Sequence, residues 1–174
     1  MSVLELDFKK FIDENAHLLT PPVNNKLLFT SDDYIVMVVG GPNSRTDYHV
    51  NQTDEWFYQV KGTAEVNVVD PVTNEFKNIV LSEGKMAMVP GNTPHNPVRH
   101  AGSIGLVVER NRNSSMVDQL RWYCSKCKTL VHKVEFNCGN IEKDIKDNIN
   151  IAQQNDFEVL VCKQCGHKNK TYYE

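Results

Sequence analysis

The pattern of apolar and polar positions divides the chain into three stretches. Over residues 4–19, Leu4, Phe8, Phe11, Ile12, Leu18 and Leu19 fall near one face together with Asn15, the spacing of an amphipathic helix. Asp7 is placed to cap that helix and Thr20-Pro21-Pro22 to end it. From about residue 27 to 110 the pattern changes to short β-rich runs at 34–39, 55–60, 63–69, 76–81, 85–89 and 104–108. Gly40-Gly41-Pro42-Asn43, Lys61-Gly62, Asp70-Pro71, Ser82-Glu83-Gly84 and Pro90-Gly91-Asn92 punctuate them. Many short strands separated by such turns predict a mainly β protein, an antiparallel sandwich or barrel. In the run 63–69, Ala64, Val66 and Val68 share one face, as a half-buried strand requires.

Residues 111–120 (NRNSSMVDQL) are polar and turn-like. They predict a boundary between a domain at 1–120 and a smaller segment at 121–174. In the latter, Ile141, Ile145, Ile149 and Ala152 recur about every four residues, which predicts a helix over 140–155. A chain of 174 residues is long enough for one well-buried domain plus a small appendage.

Charge and composition exclude several classes. A formal net charge of −3 gives no basic field for nucleic acid or an anionic membrane. No apolar run approaches the ~18 residues of a membrane span, and the N-terminus carries acids where a signal peptide would have an apolar core. A cytoplasmic protein is expected. All five cysteines lie beyond residue 120. Four of them form the pairs Cys124-x-x-Cys127 and Cys162-x-x-Cys165, and Cys138 stands alone. In a reducing compartment such pairs point to metal more than to disulfides.

Candidate chemistry sits on the β-rich stretch. His49 and Glu55 flank a loop feeding the run EWFYQV, and His95 follows Val89-Pro90-Gly91-Asn92-Thr93-Pro94. Two imidazoles and one carboxylate can occupy one face of an iron octahedron and leave three positions for substrate and dioxygen, the arrangement of non-haem Fe(II) oxygenases. The two segments resemble the paired motifs of the cupin superfamily. Gly41 and Asp47 fit the first motif's spacing and six residues separate Glu55 from Gly62 as it requires, but five residues, where the motif has three or four, separate His49 from Glu55; Gly84 and Pro90 fit the second motif, with Pro90-Gly91 one residue tighter before His95. Asp47 stands where the first motif has another histidine, so Asp47 is either a fourth ligand or a residue that faces away or orients a neighbour. The resemblance implies a double-stranded β-helix (jelly-roll) barrel holding one ion through His49, Glu55 and His95.

A closer resemblance rests on Pro21-Pro22-Val23-Asn24-Asn25, Gly40-Gly41-Pro42-Asn43-x-Arg45-Thr46-Asp47-Tyr48-His49, Glu55-Trp56-Phe57-Tyr58-Gln59, Pro94-His95-x-Pro97-x-Arg99, Val108-Glu109-Arg110 and Trp122-Tyr123-Cys124-x-x-Cys127. Nearly end to end, the chain resembles the 3-hydroxyanthranilate 3,4-dioxygenase family, in its single-cupin fungal and bacterial form with a rubredoxin-like tail. The resemblance implies extradiol-type cleavage of 3-hydroxyanthranilate by dioxygen to 2-amino-3-carboxymuconate semialdehyde, which closes to quinolinate on the kynurenine route to NAD. It implies a homodimer, a small aromatic acid as substrate, and Fe(II) as cofactor. Adjacent hydroxyl and amino groups let the substrate chelate the ion, with Glu55 beside it. Arg99 is the expected partner of the substrate carboxylate. Arg45 is expected near dioxygen, and Glu109 at the substrate's polar edge as a proton acceptor. Asn25, Val23 and Pro97 are expected pocket or closing-loop residues. Arg110 and Arg112 gain no support.

The four paired cysteines suit one tetrahedral four-sulfur ion, iron or zinc. A filled four-sulfur site has no open position, so it is expected to staple the tail. His132 and His167 lie beside the pairs but are not needed as ligands. Two other readings compete: a cupin that binds a small molecule without turnover, and a redox or electron-transfer protein acting through the tail.

Overall fold

The computed structural model describes residues 3–20, 24–152, 154–170 and 172. Val23, one of the expected pocket residues, lies outside them, as do Pro21 and Pro22. The first helix, α1 (Phe8–Asn15), begins where Asp7 accepts a hydrogen bond from the Lys10 backbone N–H at 2.9 Å. It is shorter than the apolar periodicity suggests, since residues 16–18 tighten into a 3-10 turn.

Among the described residues eleven strands follow: β1 (Asn25–Thr30), β2 (Tyr34–Gly40), β3 (Tyr48–Val50), β4 (Glu55–Lys61), β5 (Thr63–Val69), β6 (Phe76–Ser82), β7 (Met86–Val89), β8 (His95–Arg99), β9 (Ile104–Arg110), β10 (Asp118–Tyr123) and β11 (Leu130–Phe136). They form a five-stranded sheet, β1-β2-β9-β4-β7, and a six-stranded sheet, β11-β10-β3-β8-β5-β6. Every pairing is antiparallel. Non-sequential neighbours such as β2-β9-β4 and β3-β8-β5 are the crossings of a jelly-roll barrel.

Met37, Phe57, Val66, Leu81, Val89 and Val107 fill the space between the sheets. Ala64 and Val66 are buried and Val68 packs against the same core, as the alternation in that run predicts. A second core joins Leu120 and Trp122 of β10 to Leu160 and to Ile145, Ile149 and Ala152 of α2 (Ile141–Ala152). The tail is therefore built onto the barrel: β10 runs through residues 120 and 121, and β11 extends the same sheet. Among the described residues no helix is long and apolar enough to cross a membrane.

Candidate active site

The barrel topology brings the three expected ligands together. His49 on β3 is the direct cross-strand partner of His95 on β8. Glu55, at the start of β4 in the other sheet, pairs with Val89 and with Glu109. The donor atoms of His49, Glu55 and His95 all lie within 4.8 Å of one another, and all three residues are buried. The turn before His95 is pinned to the loop before Glu55: Gly91 N–H donates to Asp54 Oδ1 at 2.9 Å, and Asn92 N–H to the Asn51 carbonyl at 2.7 Å. A Cβ on Gly91 would stand 2.5 Å from the Gln52 carbonyl oxygen, so only glycine allows this approach.

The cluster has the chemistry of a cation site. His95 Nδ1 lies 2.9 Å from the Thr93 carbonyl, which fixes that nitrogen as the N–H and leaves Nε2 as the free donor. That Nε2 faces Glu55 Oε2 at 2.9 Å. Burial alone would raise the Glu55 pKa, but the imidazoles of His95 and His49 and the charge of Arg112 hold it at about 2. Burial likewise lowers His49. A buried carboxylate and two imidazoles, oriented by neighbours, form an N,N,O donor set that fits a divalent ion.

Three further residues support the cluster. His49 Nε2 meets Asp118 Oδ2 at 2.7 Å. Arg112 Nη2 lies 2.9 Å from both Asp118 Oδ2 and Glu109 Oε2. Asn51 Nδ2 reaches Glu55 Oε2 at 3.4 Å and Glu109 Oε2 at 3.5 Å. Sequence reasoning misses all three. The signal for Asp118 is an acid in phase with buried Leu120 and Trp122; for Arg112 it is the short three-residue step beyond Glu109. Asp47 is not one of the clustered ligands: its Oδ2 lies 3.4 Å from Arg45 Nη2.

A cavity of about 570 Å3 opens beside the cluster. His49, Glu55, His95, Arg45, Arg99, Asn25 and Pro97 line it, so the structure gathers all of these expected residues. Arg99 is 4% exposed, and burial lowers its pKa to about 10, which leaves it a cation at neutral pH. Its guanidinium occupies space that a side chain at position 105 would take: a Cβ on Gly105 would lie 2.4 Å from Arg99 Nη1. Arg110 is exposed. Glu109 is 1% exposed, sits across the strands from Glu55 and keeps its Oε1 without a partner among the described residues, though it is not among those that line the cavity. Burial and the charge of Glu55 raise its pKa to about 7 against the pull of Arg112. In metal-free protein the Glu109 carboxyl is therefore expected to titrate near pH 7 by carbon NMR. A divalent ion at Glu55 cancels part of the opposing field and moves that midpoint down. A midpoint in the ordinary carboxylate range without metal would contradict this electrostatic account.

The tail closes one side of the cavity. Ile145 and Ile149 of α2, with Lys146 and Asn150, line it together with Tyr172. The four sulfurs of Cys124, Cys127, Cys162 and Cys165 also lie within 4.8 Å of one another. Cys124–Cys165 and Cys127–Cys162 sulfurs are 3.6 Å apart, near the ~3.8 Å edge of a tetrahedron with metal–sulfur bonds of about 2.3 Å and far beyond a disulfide. The two knuckles share one turn: Lys128 N–H donates to the Cys124 carbonyl and Gly166 N–H to that of Cys162, each at 2.8–2.9 Å. Hydrogen bonds from Thr129 bring the Cys127 thiol down to about 6. The His167 backbone favours the Cys165 thiolate, yet crowding by the other sulfurs lifts it to about 12. A cation among them removes that conflict. The His132 ring lies tilted against Trp122, and His167 hydrogen-bonds with Ser125. Burial raises Cys138 to about 12. Cys162→Ser/Cys165→Ser is expected to lose the tail's ion and to raise KM, because Leu160 and α2 share one core. Ion content measured beside KM checks this; a lost ion with an unchanged KM would contradict it.

A two-sheet barrel with a buried His-Glu-His cluster at one end of its interior defines a cupin-type candidate metalloenzyme. The chain belongs to the 3-hydroxyanthranilic acid dioxygenase family, whose sequence profile matches residues 1–170. It is 47% identical over 161 residues to the 3-hydroxyanthranilate 3,4-dioxygenase of Neurospora crassa, covering 92% of this chain and 87% of that one. It is 49% identical over 164 residues to the enzyme of the same name from Meyerozyma guilliermondii, covering 94% of each. The Candida albicans enzyme of that name is 46% identical, over 93% of this chain and 92% of its own. Among solved structures, a cupin-2 domain protein from Shewanella frigidimarina aligns with 57% of this chain and 92% of its own at 20% identity and a TM-score of 0.47.

Proposed function

We propose that the chain opens the ring of 3-hydroxyanthranilate with dioxygen, giving 2-amino-3-carboxymuconate semialdehyde, with one ferrous ion held by His49, Glu55 and His95. The observation that carries this reading is the buried His-Glu-His cluster facing a cavity that also holds the buried cation Arg99. It stands in a chain whose family and relatives carry that enzyme's name. When bound, the ferrous ion supplies the electron exchange between ring and dioxygen that amino-acid side chains lack.

The side chains divide the remaining work. Arg99 takes the substrate carboxylate in a two-pronged pair. This fixes which ring edge faces the cluster, and orientation of that kind replaces a difficult encounter with a positioned one. Arg45, at the cavity wall and paired with Asp47, supplies positive charge where dioxygen is reduced. Glu109, near neutrality in its titration, accepts the proton released as the substrate hydroxyl ionises. Met37, Phe57 and Val107 on the sheets and Ile145 and Ile149 on α2 exclude water. The four-cysteine site, holding iron or zinc, keeps α2 in place. The domain division at 120/121 then separates catalytic residues from a supporting segment, even though β10 crosses it.

The outer face of the five-stranded sheet supports a homodimer. Trp56 and Tyr58 stack there with ring centroids 6.4 Å apart, and Met88 and Met86 pair beside them at 60% and 58% exposure. An exposed apolar patch of this kind marks an interface. Sedimentation equilibrium is expected to return twice the 19.9 kDa chain mass; a monomer at all concentrations would contradict it. Five cysteines outside any disulfide fit a reducing, cytoplasmic setting.

Metal-free protein reconstituted anaerobically with Fe(II), Mn(II) or Zn(II), then given substrate and air, tests the reading. Only the Fe(II) sample is expected to consume oxygen and develop the semialdehyde absorbance. Equal turnover with Zn(II) would overturn the assignment of the ion.

A further inference from the structure

A second cavity, of about 310 Å3, lies between the six-stranded sheet and the four-cysteine segment. None of His49, Glu55 or His95 lines it. One wall is aromatic. Tyr48, Phe76 and Tyr123 meet edge to face, with ring centroids 5.2 Å apart for Tyr123 against each of the others and 6.2 Å for Tyr48 against Phe76. Lys128 and Lys168 also line it, and no aspartate or glutamate is among the described lining residues. Lys128 Nζ stands 5.3 Å from the Phe76 ring centroid, so charge and ring face are already side by side. Trp122 also lines the cavity; it is 1% exposed, and its indole N–H meets no acceptor among the described residues. An unpaired buried donor costs ~1–3 kcal/mol.

An aromatic wall and, among the described lining residues, charge of one sign together define the missing occupant: a planar ring carrying negative charge. We propose that this cavity is a regulatory site for an aromatic carboxylate. The substrate and the ring-closed product of the reaction proposed above both belong to that class, so this part of the inference rests on that reading. The cavity is wired to the catalytic pocket. Tyr172 lines both, and it bridges Arg45. Thr46 Oγ1 donates to the Lys170 carbonyl at 2.6 Å. Tyr48, in the aromatic wall, immediately precedes His49 on β3. An occupant therefore bears on the segment that carries Arg45 and His49 without entering the pocket they face.

Calorimetric titration of the Fe(II)-loaded protein under nitrogen tests the site, with benzene-1,2-dicarboxylate, benzoate and succinate as probes and the catalytic pocket occupied by 2-aminophenol, which can chelate the ion but carries no carboxylate. The aromatic probes are expected to bind one per chain and succinate not to bind. The dicarboxylate binding tighter than benzoate points to the ring-closed product as the natural source, and the reverse order to the substrate. Lys128→Glu and Lys168→Glu, both at exposed positions, are expected to weaken binding at least about tenfold while affinity for 3-hydroxyanthranilate holds. Probe binding lost on saturation with 2-aminophenol, unchanged in both variants, or equalled by succinate would overturn the proposal. The titration reads probe affinity and no turnover, so it decides on the second site even if ring cleavage fails.

Discussion

Alanine in place of His49, Glu55 or His95 is expected to abolish oxygen uptake. Each supplies one of three clustered donors, two from neighbouring strands of one sheet and one from the facing sheet. The neighbouring carboxylates are engaged elsewhere through one oxygen: Asp118 Oδ2 by His49 and Arg112, and Glu109 Oε2 by Arg112. Loss of a direct ligand should therefore exceed the roughly 10- to 100-fold loss of metal affinity typical of an outer partner. Asp118→Asn provides that contrast, since it keeps all three donors but slackens the hold on His49. Iron content and rate measured together separate the two cases. A His95→Ala protein that retained iron and turned over normally would remove His95 from the site.

Arg99→Ala is the second large effect. A buried guanidinium facing a substrate carboxylate loses about 2–4 kcal/mol when truncated, or roughly 30- to 1000-fold in kcat/KM. Most of that change is expected in KM, because the carboxylate keeps its charge throughout ring cleavage and the interaction is equally strong before and during it. Lysine at this position should recover only part of the loss, because its point charge cannot form the fork. An unchanged KM would exclude Arg99 as the carboxylate partner.

Much of the barrel is legible in the sequence because its central strands are β-branched runs bounded by glycine, proline and asparagine. The strands that escape such a reading are informative. β3 has three residues, too few to show alternation, and β8 reads His-Asn-Pro-Val-Arg. β3 has His49 between buried Tyr48 and Val50, and β8 is mostly polar where a core strand should be apolar, because both carry the site and local pattern yields to function there. β10 and β11 alternate charge with apolar residues, and the polar lead-in at 111–117 hides where β10 begins. The ligand spacing is readable, since it follows motif and local chemistry. The Asp118–Arg112–Glu109 support is not, because it depends on a strand from the tail pairing back onto β3. The periodicity of Ile141, Ile145 and Ile149 predicts the helix but not its partner. Only the fold shows that Ile145 and Ile149 line the cavity, and so that the tail shapes the site it was expected merely to follow.

The central claim is that His49, Glu55 and His95 hold a ferrous ion that inserts dioxygen into the ring of 3-hydroxyanthranilate. Turnover of the Fe(II)-loaded protein under isotopically labelled dioxygen, read by mass spectrometry of the trapped semialdehyde, tests it most directly. Both labelled oxygen atoms are expected in the product, with one dioxygen consumed per ring and none of this in the His95→Ala protein. A product carrying a single labelled atom, or substrate left intact by an iron-loaded protein, would contradict the account.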